Sequence, residues 1–291
     1  MMITEPIVLF GAPSSGTSII HDVFVRHESV AFLNWRAVGS QPGRPDRMRW
    51  LLRAIDAPLV GDLLGRRVHP GECYAFWHLH FGGFSRPHRD LGAIDLSERV
   101  RKSLIAAFEE IPTERRNRLV LKVTGWPRVG FLDALFPDAH FVHIVRDGRS
   151  VANSLISRPF FDGWYGPTSW RFGELPKDQE VIWRRHGQSF VALAGIAWNL
   201  LERAAEEARE IVGEGRMTDL RYEDFCREPA RSIAEVFQVL SMSASRKVDA
   251  YAAAARISER KTWDRDLTPS QIETLEAVLD DSLMKKWRYR G

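Results

Sequence analysis

Two turns in this sequence combine the residue types and spacing that hold an anion. The first lies in IVLFGAPSSGTSIIHDVF, where apolar Ile7 to Phe10 predict a buried strand, Gly11 to Gly16 a turn, and Thr17 onward a helix. Such a turn aims backbone N–H groups and the positive end of a helix dipole at one point, which suits a phosphate or sulfate. Ser14, Ser15, Gly16, Thr17 and Ser18 surround that point. The second turn lies in HFVHIVRDGRSVANSLISR, His140 to Arg158. Here an apolar strand ends at Arg146, and a polar turn leads into an amphipathic helix. Arg146 and Ser154, eight residues later, converge beyond the carboxyl edge of a parallel sheet, where α/β folds bind ligands. Arg158, four residues after Ser154, is expected on the same helix face. Two guanidinium forks and a hydroxyl can coordinate one phosphate, each charge-assisted bond contributing about 1.5–3 kcal/mol. The plainer readings are an ordinary strand-to-helix turn at Gly11–Gly16 and a salt bridge from Arg146 to Asp147 or Glu223.

Around these turns the hydrophobic pattern alternates between strands and helices. Arg118 to Val123 and Met217 to Tyr222 read as further strands. Asp95-Leu96-Ser97-Glu98 opens a helix to about Ile111, with Val100, Leu104, Ala107, Phe108 and Ile111 at helical spacing. Helices are also expected over 131–136, stopped by Pro137, over 181–212 as one long element, and over 228–240. Arg36 to Pro45 reads as a loop rich in Gly and Pro. The alternation predicts an α/β, P-loop-like three-layer fold, with a central mostly parallel sheet flanked by helices, in a single domain over residues 1–291. The spacing Gly11-x4-Gly16 equals that of an ATP-type P-loop, yet Thr17 stands where that loop requires lysine. The turn is therefore an anion cradle of another kind.

With 44% hydrophobic residues the 291-residue chain can bury a large core. A net charge of +3 and a pI near 9.0 suit a polyanionic small ligand and are too small to argue for nucleic acid. Cys73 and Cys226, few and far apart, read as reduced thiols rather than a disulfide framework. No signal-peptide pattern precedes the first strand, and no run approaches the roughly 18 apolar residues of a membrane span. The expected compartment is the cytoplasm.

On these motifs the chain resembles the sulfotransferases that use 3′-phosphoadenosine-5′-phosphosulfate (PAPS). The family's first turn, PxSGT[ST], matches Pro13-Ser14-Ser15-Gly16-Thr17-Ser18, and its strand-end arginine with a serine eight residues on matches Arg146 and Ser154. The resemblance implies that the first turn holds the 5′-phosphosulfate and the second pair the 3′-phosphate. RDGRSVANSLISR looks closest to the tyrosylprotein branch, which also has an arginine at the position of Arg158. LRYEDFCREP is similar to a late family segment and implies Tyr222 near the nucleotide. LKVTGWP resembles the strand whose lysine faces the active site, here Lys122. KTWDRDLTPSQIE, from Lys261, also looks family-like, and Lys261 joins the candidate nucleotide contacts. The activity implied by the resemblance is sulfuryl transfer from PAPS to a hydroxyl or amine, releasing adenosine 3′,5′-bisphosphate (PAP), with no metal required.

One departure concerns charge. The family usually carries Lys or Arg just before Ser-Gly-Thr, and here that position is Ser14. A cation lost beside the leaving group costs several kcal/mol of transition-state stabilisation unless Lys122, Lys261 or an arginine replaces it. The base departs too: Thr124 occupies the place of a histidine in the small-phenol branch, and Asn34 and Trp35 that of a glutamate in the tyrosylprotein branch. Glu72, among aromatics in HPGECYAFWHLHFGG, is the candidate base, with Lys122 stabilising developing charge. His69, His78 and His80 are alternatives, and His78-x-His80 with Cys73 fits no standard zinc spacing. Aromatic residues at 159–170 and at Phe76, Trp77, Phe81 and Phe84 suit either core packing or the wall of a small-molecule, glycan or lipid acceptor site. Two other readings stay open, a silent PAP-binding protein and a kinase taking ATP with Mg²⁺. A homodimer is also open.

Overall fold

A computed structural model describes residues 3–58, 61–85, 88–255, 258–259 and 261–291, with the side chains of Asp62 and Arg66 set aside. The chain runs β1 (Ile7–Gly11), α1 (Thr17–Phe24), β2 (Val30–Phe32), α2 (Asp46–Ile55), α3 (Gly61–Arg67), α4 (Tyr74–His80), α5 (Glu98–Glu109), β3 (Arg118–Thr124), α6 (Val129–Leu135), β4 (His140–Val145) and α7 (Gly148–Ile156). It continues through α8 (Lys177–Arg185), α9 (Phe190–Val212), β5 (Met217–Arg221), α10 (Tyr222–Arg227), α11 (Pro229–Val239), α12 (Arg246–Ala254), α13 (Trp263–Asp266), α14 (Pro269–Val278) and α15 (Asp281–Lys286). The sheet order is β2-β3-β1-β4-β5, and every pairing is parallel. The α/β class and parallel sheet therefore agree with the sequence pattern. Helices cover both faces: α1, α11 and α12 pack together on one, and α6, α7, α9 and α14 on the other. All five residues of β1 are buried, as a central strand covered on both faces requires.

Register decides where the chemistry sits. Leu9 pairs with Lys122 and Gly11 with Thr124, so Lys122 and Thr124 leave β3 beside the turn that follows β1. On the other side Phe10 pairs with His143, and β4 delivers Arg146 just past the same edge. Further down β4, His143 is clamped by Glu202 of α9 at 3.5 Å and Asp219 of β5 at 3.2 Å.

Several expected boundaries shift. The long helix over 181–212 is two helices, because Gly187 and Gln188 take positive φ (68° and 54°) and turn the chain between α8 and α9. The strand predicted to Tyr222 ends at Arg221, and Tyr222 opens α10. The loop read at 36–45 begins with a π-helical turn over Trp35–Gly39, capped by Asn34. β2, α2, α3 and α4 have no counterpart in the sequence pattern described above. α7 ends at Ile156, where Pro159 disfavours helical geometry at Arg158, so Ser154 and Arg158 do not share a helix face.

Candidate active site

The Gly11–Gly16 turn is shaped by close approaches that only glycine permits. Gly16 has φ +95°, and a Cβ there would lie 2.2 Å from Tyr222 Cδ2. At Gly11 a Cβ would meet the Ile144 carbonyl oxygen at 2.3 Å. Ser14 also takes positive φ (71°), so left-handed residues at Ser14 and Gly16 flank Ser15, a backbone shape suited to an anion. The Ser15 amide closes the turn on the Ala12 carbonyl at 3.1 Å. Ser15 Oγ is fully buried without a hydrogen-bond partner. An orphaned hydroxyl in a turn that a side chain would fill fits an anion held there.

The second turn meets the first. Arg146 Nη1 donates to the Ser14 carbonyl at 2.9 Å, and its guanidinium lies 4.8 Å from the centre of the Tyr222 ring. That stacked ring carries a hydroxyl that burial, with the neighbouring Cys226, pushes up to about 12, so it stays neutral. The Arg146 main chain is fixed on both sides. Trp198 Nε1 donates to its carbonyl at 3.1 Å, and the Asp147 amide donates to Glu223 Oε1 at 3.0 Å. The two carboxylates considered as salt-bridge partners are engaged elsewhere: Asp147 pairs with Arg149 at 2.7 Å, and Glu223 accepts from Tyr289.

Lys122 reaches across to this turn, its Nζ 2.9 Å from Ser18 Oγ and 3.0 Å from Glu72 Oε1. Both charged side chains are largely buried, at 9% and 15% exposure, so this pair is not a solvated surface contact. Thr124 Oγ1 donates to the same Glu72 oxygen at 2.8 Å, and the Tyr74 hydroxyl lies 3.4 Å from Thr124 Oγ1. Burial, with the charge of Glu72, pushes the Tyr74 hydroxyl up to about 12, so it remains a neutral donor. His21, on α1 beneath Lys122, is held well below its usual range by burial and by the lysine charge. Sequence reasoning does not single out Tyr74, Thr124 or His21 for chemistry. For Thr124 a signal exists, since it occupies the position two residues after the strand lysine.

Other candidates fall further away. Ser154 is half-buried on α7, and Arg158 is exposed just past its end. Lys261 is exposed, 5.0 Å from the Trp263 ring centre and 4.0 Å from Asp264. Its segment docks on α7 through Asn153, which donates to Thr262 and Asp266. His69, His78 and His80 bond to Asp22, Ser85 and Ser103, outside the Lys122–Glu72 cluster. Cys73 is a free, buried thiol pushed up to about 12 by burial and by Glu72. Among the described residues, no three His, Cys, Asp or Glu side chains form a metal-holding group. Phe76, Trp77 and Phe84 are core residues, Trp77 stacking on Phe84 at 4.2 Å, and Phe81 packs half-buried against this core. In the 159–170 loop Phe161 and Trp170 are buried, while Trp164 and Tyr165 are exposed.

Comparison with known proteins gives the arrangement a context. Residues 6–246 match the profile described as the Sulfotransferase family. Two relatives named omega-hydroxy-beta-dihydromenaquinone-9 sulfotransferase Stf3, from Mycobacterium bovis and Mycobacterium tuberculosis, are each 26% identical over 272 residues. The alignment covers 81% of this chain, which spans about 63% of the length of these relatives. Among solved structures, sulfotransferase STF9 from Mycobacterium avium matches with a TM-score of 0.59 and 17% identity, over 98% of this chain and 77% of that one. The sulfotransferase domain of the curacin biosynthetic pathway matches at 0.51 and 14%, over 99% and 92%. These likenesses establish the shared fold.

Proposed function

The chain belongs to the sulfotransferase family, and from that premise we propose that it moves a sulfuryl group from PAPS to an acceptor hydroxyl or amine, releasing PAP. The observation that carries this reading is the bond from Arg146 to the Ser14 carbonyl. It joins two anion-binding turns, separated by more than a hundred residues, into one site. In this reading Ser14 to Ser18 hold the 5′-phosphosulfate. Arg146 and Ser154 hold the 3′-phosphate, with Arg158 as in the tyrosylprotein-type motif. Tyr222 packs beneath the nucleotide, and Lys261 closes its outer side. PAPS supplies an activated sulfur whose bond to the phosphate oxygen breaks as the acceptor oxygen attacks. Lys122 donates a hydrogen bond to the oxygen left on the phosphate, supplying the positive charge that Ser14 does not. Glu72 receives the acceptor proton, and Thr124 and Lys122, both bonded to Oε1, fix that carboxylate. Positioning and electrostatics carry the step, as in phosphoryl transfer.

The names of the mycobacterial relatives favour a lipid alcohol among the acceptor classes. The proposed enzyme works as one domain over residues 1–291 in the cytoplasm, a compartment supported by its two free cysteines. The test is PAP release from PAPS in the presence of a long-chain terminal alcohol, a simple phenol or a sugar. Release with the lipid alcohol supports the reading. Release with phenol or sugar alone replaces the acceptor class. PAP binding without release under any acceptor favours the silent nucleotide-binding alternative.

A further inference from the structure

The segment leading into and along α2 concentrates charge and tryptophan on the surface. Residues 35–58 contain five arginines, no lysine and two aspartates, a surplus of three that equals the net charge of the whole chain. Both aspartates are neutralised, Asp46 by Arg44 and Asp56 by Arg116. α2 is amphipathic: Met48, Leu52 and Ile55 are buried, while Arg47, Trp50 and Arg53 face outward at a spacing of three. Trp50 is 66% exposed and Trp35, on the preceding turn, 61%. Apart from Trp164, no other described tryptophan is so exposed.

On other surface helices some cations are paired within the helix, although among the described residues Arg101 on α5 and Arg185 on α8 are exposed without an ion pair. Lys102 pairs with Glu98, Arg184 with Glu180, Arg231 with Glu228 and Glu235, and Lys285 with Asp281, each one turn away. Among the described residues Arg36, Arg47 and Arg53 have no such carboxylate. Arg53 instead lies with its guanidinium 5.4 Å from the Trp50 ring centre. Unpaired guanidinium groups beside exposed indole rings are the pattern of a bilayer interface, where the ring sits at headgroup depth and the cation meets anionic lipid.

We propose that Trp35, Arg36, Arg47, Trp50 and Arg53 form a docking face for an anionic lipid bilayer. The occupant follows from charge complementarity combined with indole rings. A soluble anionic partner needs the arginines and not the exposed tryptophans. The proposed attachment is peripheral, and among the described residues no helix is long and apolar enough to cross a membrane. The Trp35 end of the face is tied to the loop that carries Glu72, because the Gly71 amide donates to the Leu33 carbonyl at 2.8 Å, at the strand end preceding Trp35. The inference concerns where the protein resides and stands whether or not the proposed reaction is correct.

Vesicle flotation of the whole chain tests it, using phosphatidylcholine with and without phosphatidylglycerol, at about 0.1 M and about 1 M salt. The expected result is flotation with the anionic vesicles at low salt, weakened at high salt and absent with phosphatidylcholine alone. Replacing Arg47→Gln and Arg53→Gln together should weaken partitioning about 25-fold, at about fivefold per arginine. Trp50→Ala should weaken it several-fold, with the melting temperature of both variants near that of the parent. No flotation with anionic vesicles, or variants that float like the parent, overturns the proposal. So does a parent dimer, seen by light scattering, that Trp50→Ala splits, which would assign the face to a second copy of the chain.

Discussion

The turn at Gly11–Gly16 and the loop at Gly71–Cys73 both approach Lys122, yet their shapes have different origins. In the turn, a glycine at φ +95° and a buried strand set the backbone, and side chains follow. In the loop, distant contacts set the backbone: Asn34 Nδ2 donates to the His69 carbonyl and the Gly71 amide to the Leu33 carbonyl, with a local bond from the Trp77 indole to the Glu72 carbonyl. The proposed donor side thus rests on glycines that a local motif displays, and the proposed acceptor side on bonds between segments that no local motif marks.

Gly16→Ala attacks the donor side where the backbone is decisive. A left-handed alanine costs about 1–2 kcal/mol, and its Cβ must displace the Tyr222 ring besides, so PAP affinity should fall by about 100-fold or more. Calorimetry with an affinity close to the parent's would reduce the turn to ordinary strand-to-helix geometry. On the proposed acceptor side, Glu72→Gln should lower turnover by about 10²–10³-fold while PAP affinity stays within a few-fold, whereas Lys122→Ala, which also removes the proposed contact to the nucleotide phosphate, should lower both. Loss of PAP affinity in Glu72→Gln would move Glu72 to the donor side and blur the distinction. Arg146→Lys keeps the charge but loses the planar fork that reaches Ser14. About 10- to 100-fold weaker PAP binding is expected, and an unchanged affinity would remove Arg146 from the nucleotide contacts. Thr124→Val deletes one hydrogen bond to Glu72, worth about 1 kcal/mol, so turnover should drop about fivefold and recover with Thr124→Ser. No drop would leave Glu72 positioned by Lys122 alone.

A control for the scaffold lies at His143. Burial opposes its charge, but Glu202 and Asp219 outweigh that and raise its pKa to about 9. A folded pKa above the unfolded value near 6.5 gives stability that is fully present below pH 6.5 and lost as pH rises through about 9. Urea midpoints of the parent should therefore fall across that window more steeply than those of His143→Gln. Parallel curves would deny the charged imidazole.

Legibility in the sequence follows the same division. The strands at Ile7, Arg118 and His140 are readable because each is an apolar run closed by a polar or glycine turn. The rule that parallel sheets bind at their carboxyl edge brings Arg146 to that edge, but its bond to the Ser14 carbonyl of the first turn is visible only in the structure. Glu72 and Lys122 are identifiable singly, but their mutual contact depends on the register of β1 with β3. Residues 35–80 are opaque. β2 has only three residues, and α2 hides its buried positions among arginines. The break between α8 and α9 is marked by Gly187, yet the surrounding pattern remains helical and masks it. The placement of Arg158 on the α7 face extends that helix too far, because it gives no weight to Pro159.

The central claim is that the two turns form one site for a 3′-phosphorylated nucleotide. Isothermal titration of the whole chain with PAP, AMP and ATP–Mg²⁺ tests it most directly. Saturable PAP binding is expected, with much weaker AMP binding because the 3′-phosphate is missing, and no preference for ATP–Mg²⁺. Binding of ATP–Mg²⁺ alone, or equal affinity for AMP and PAP, would contradict it.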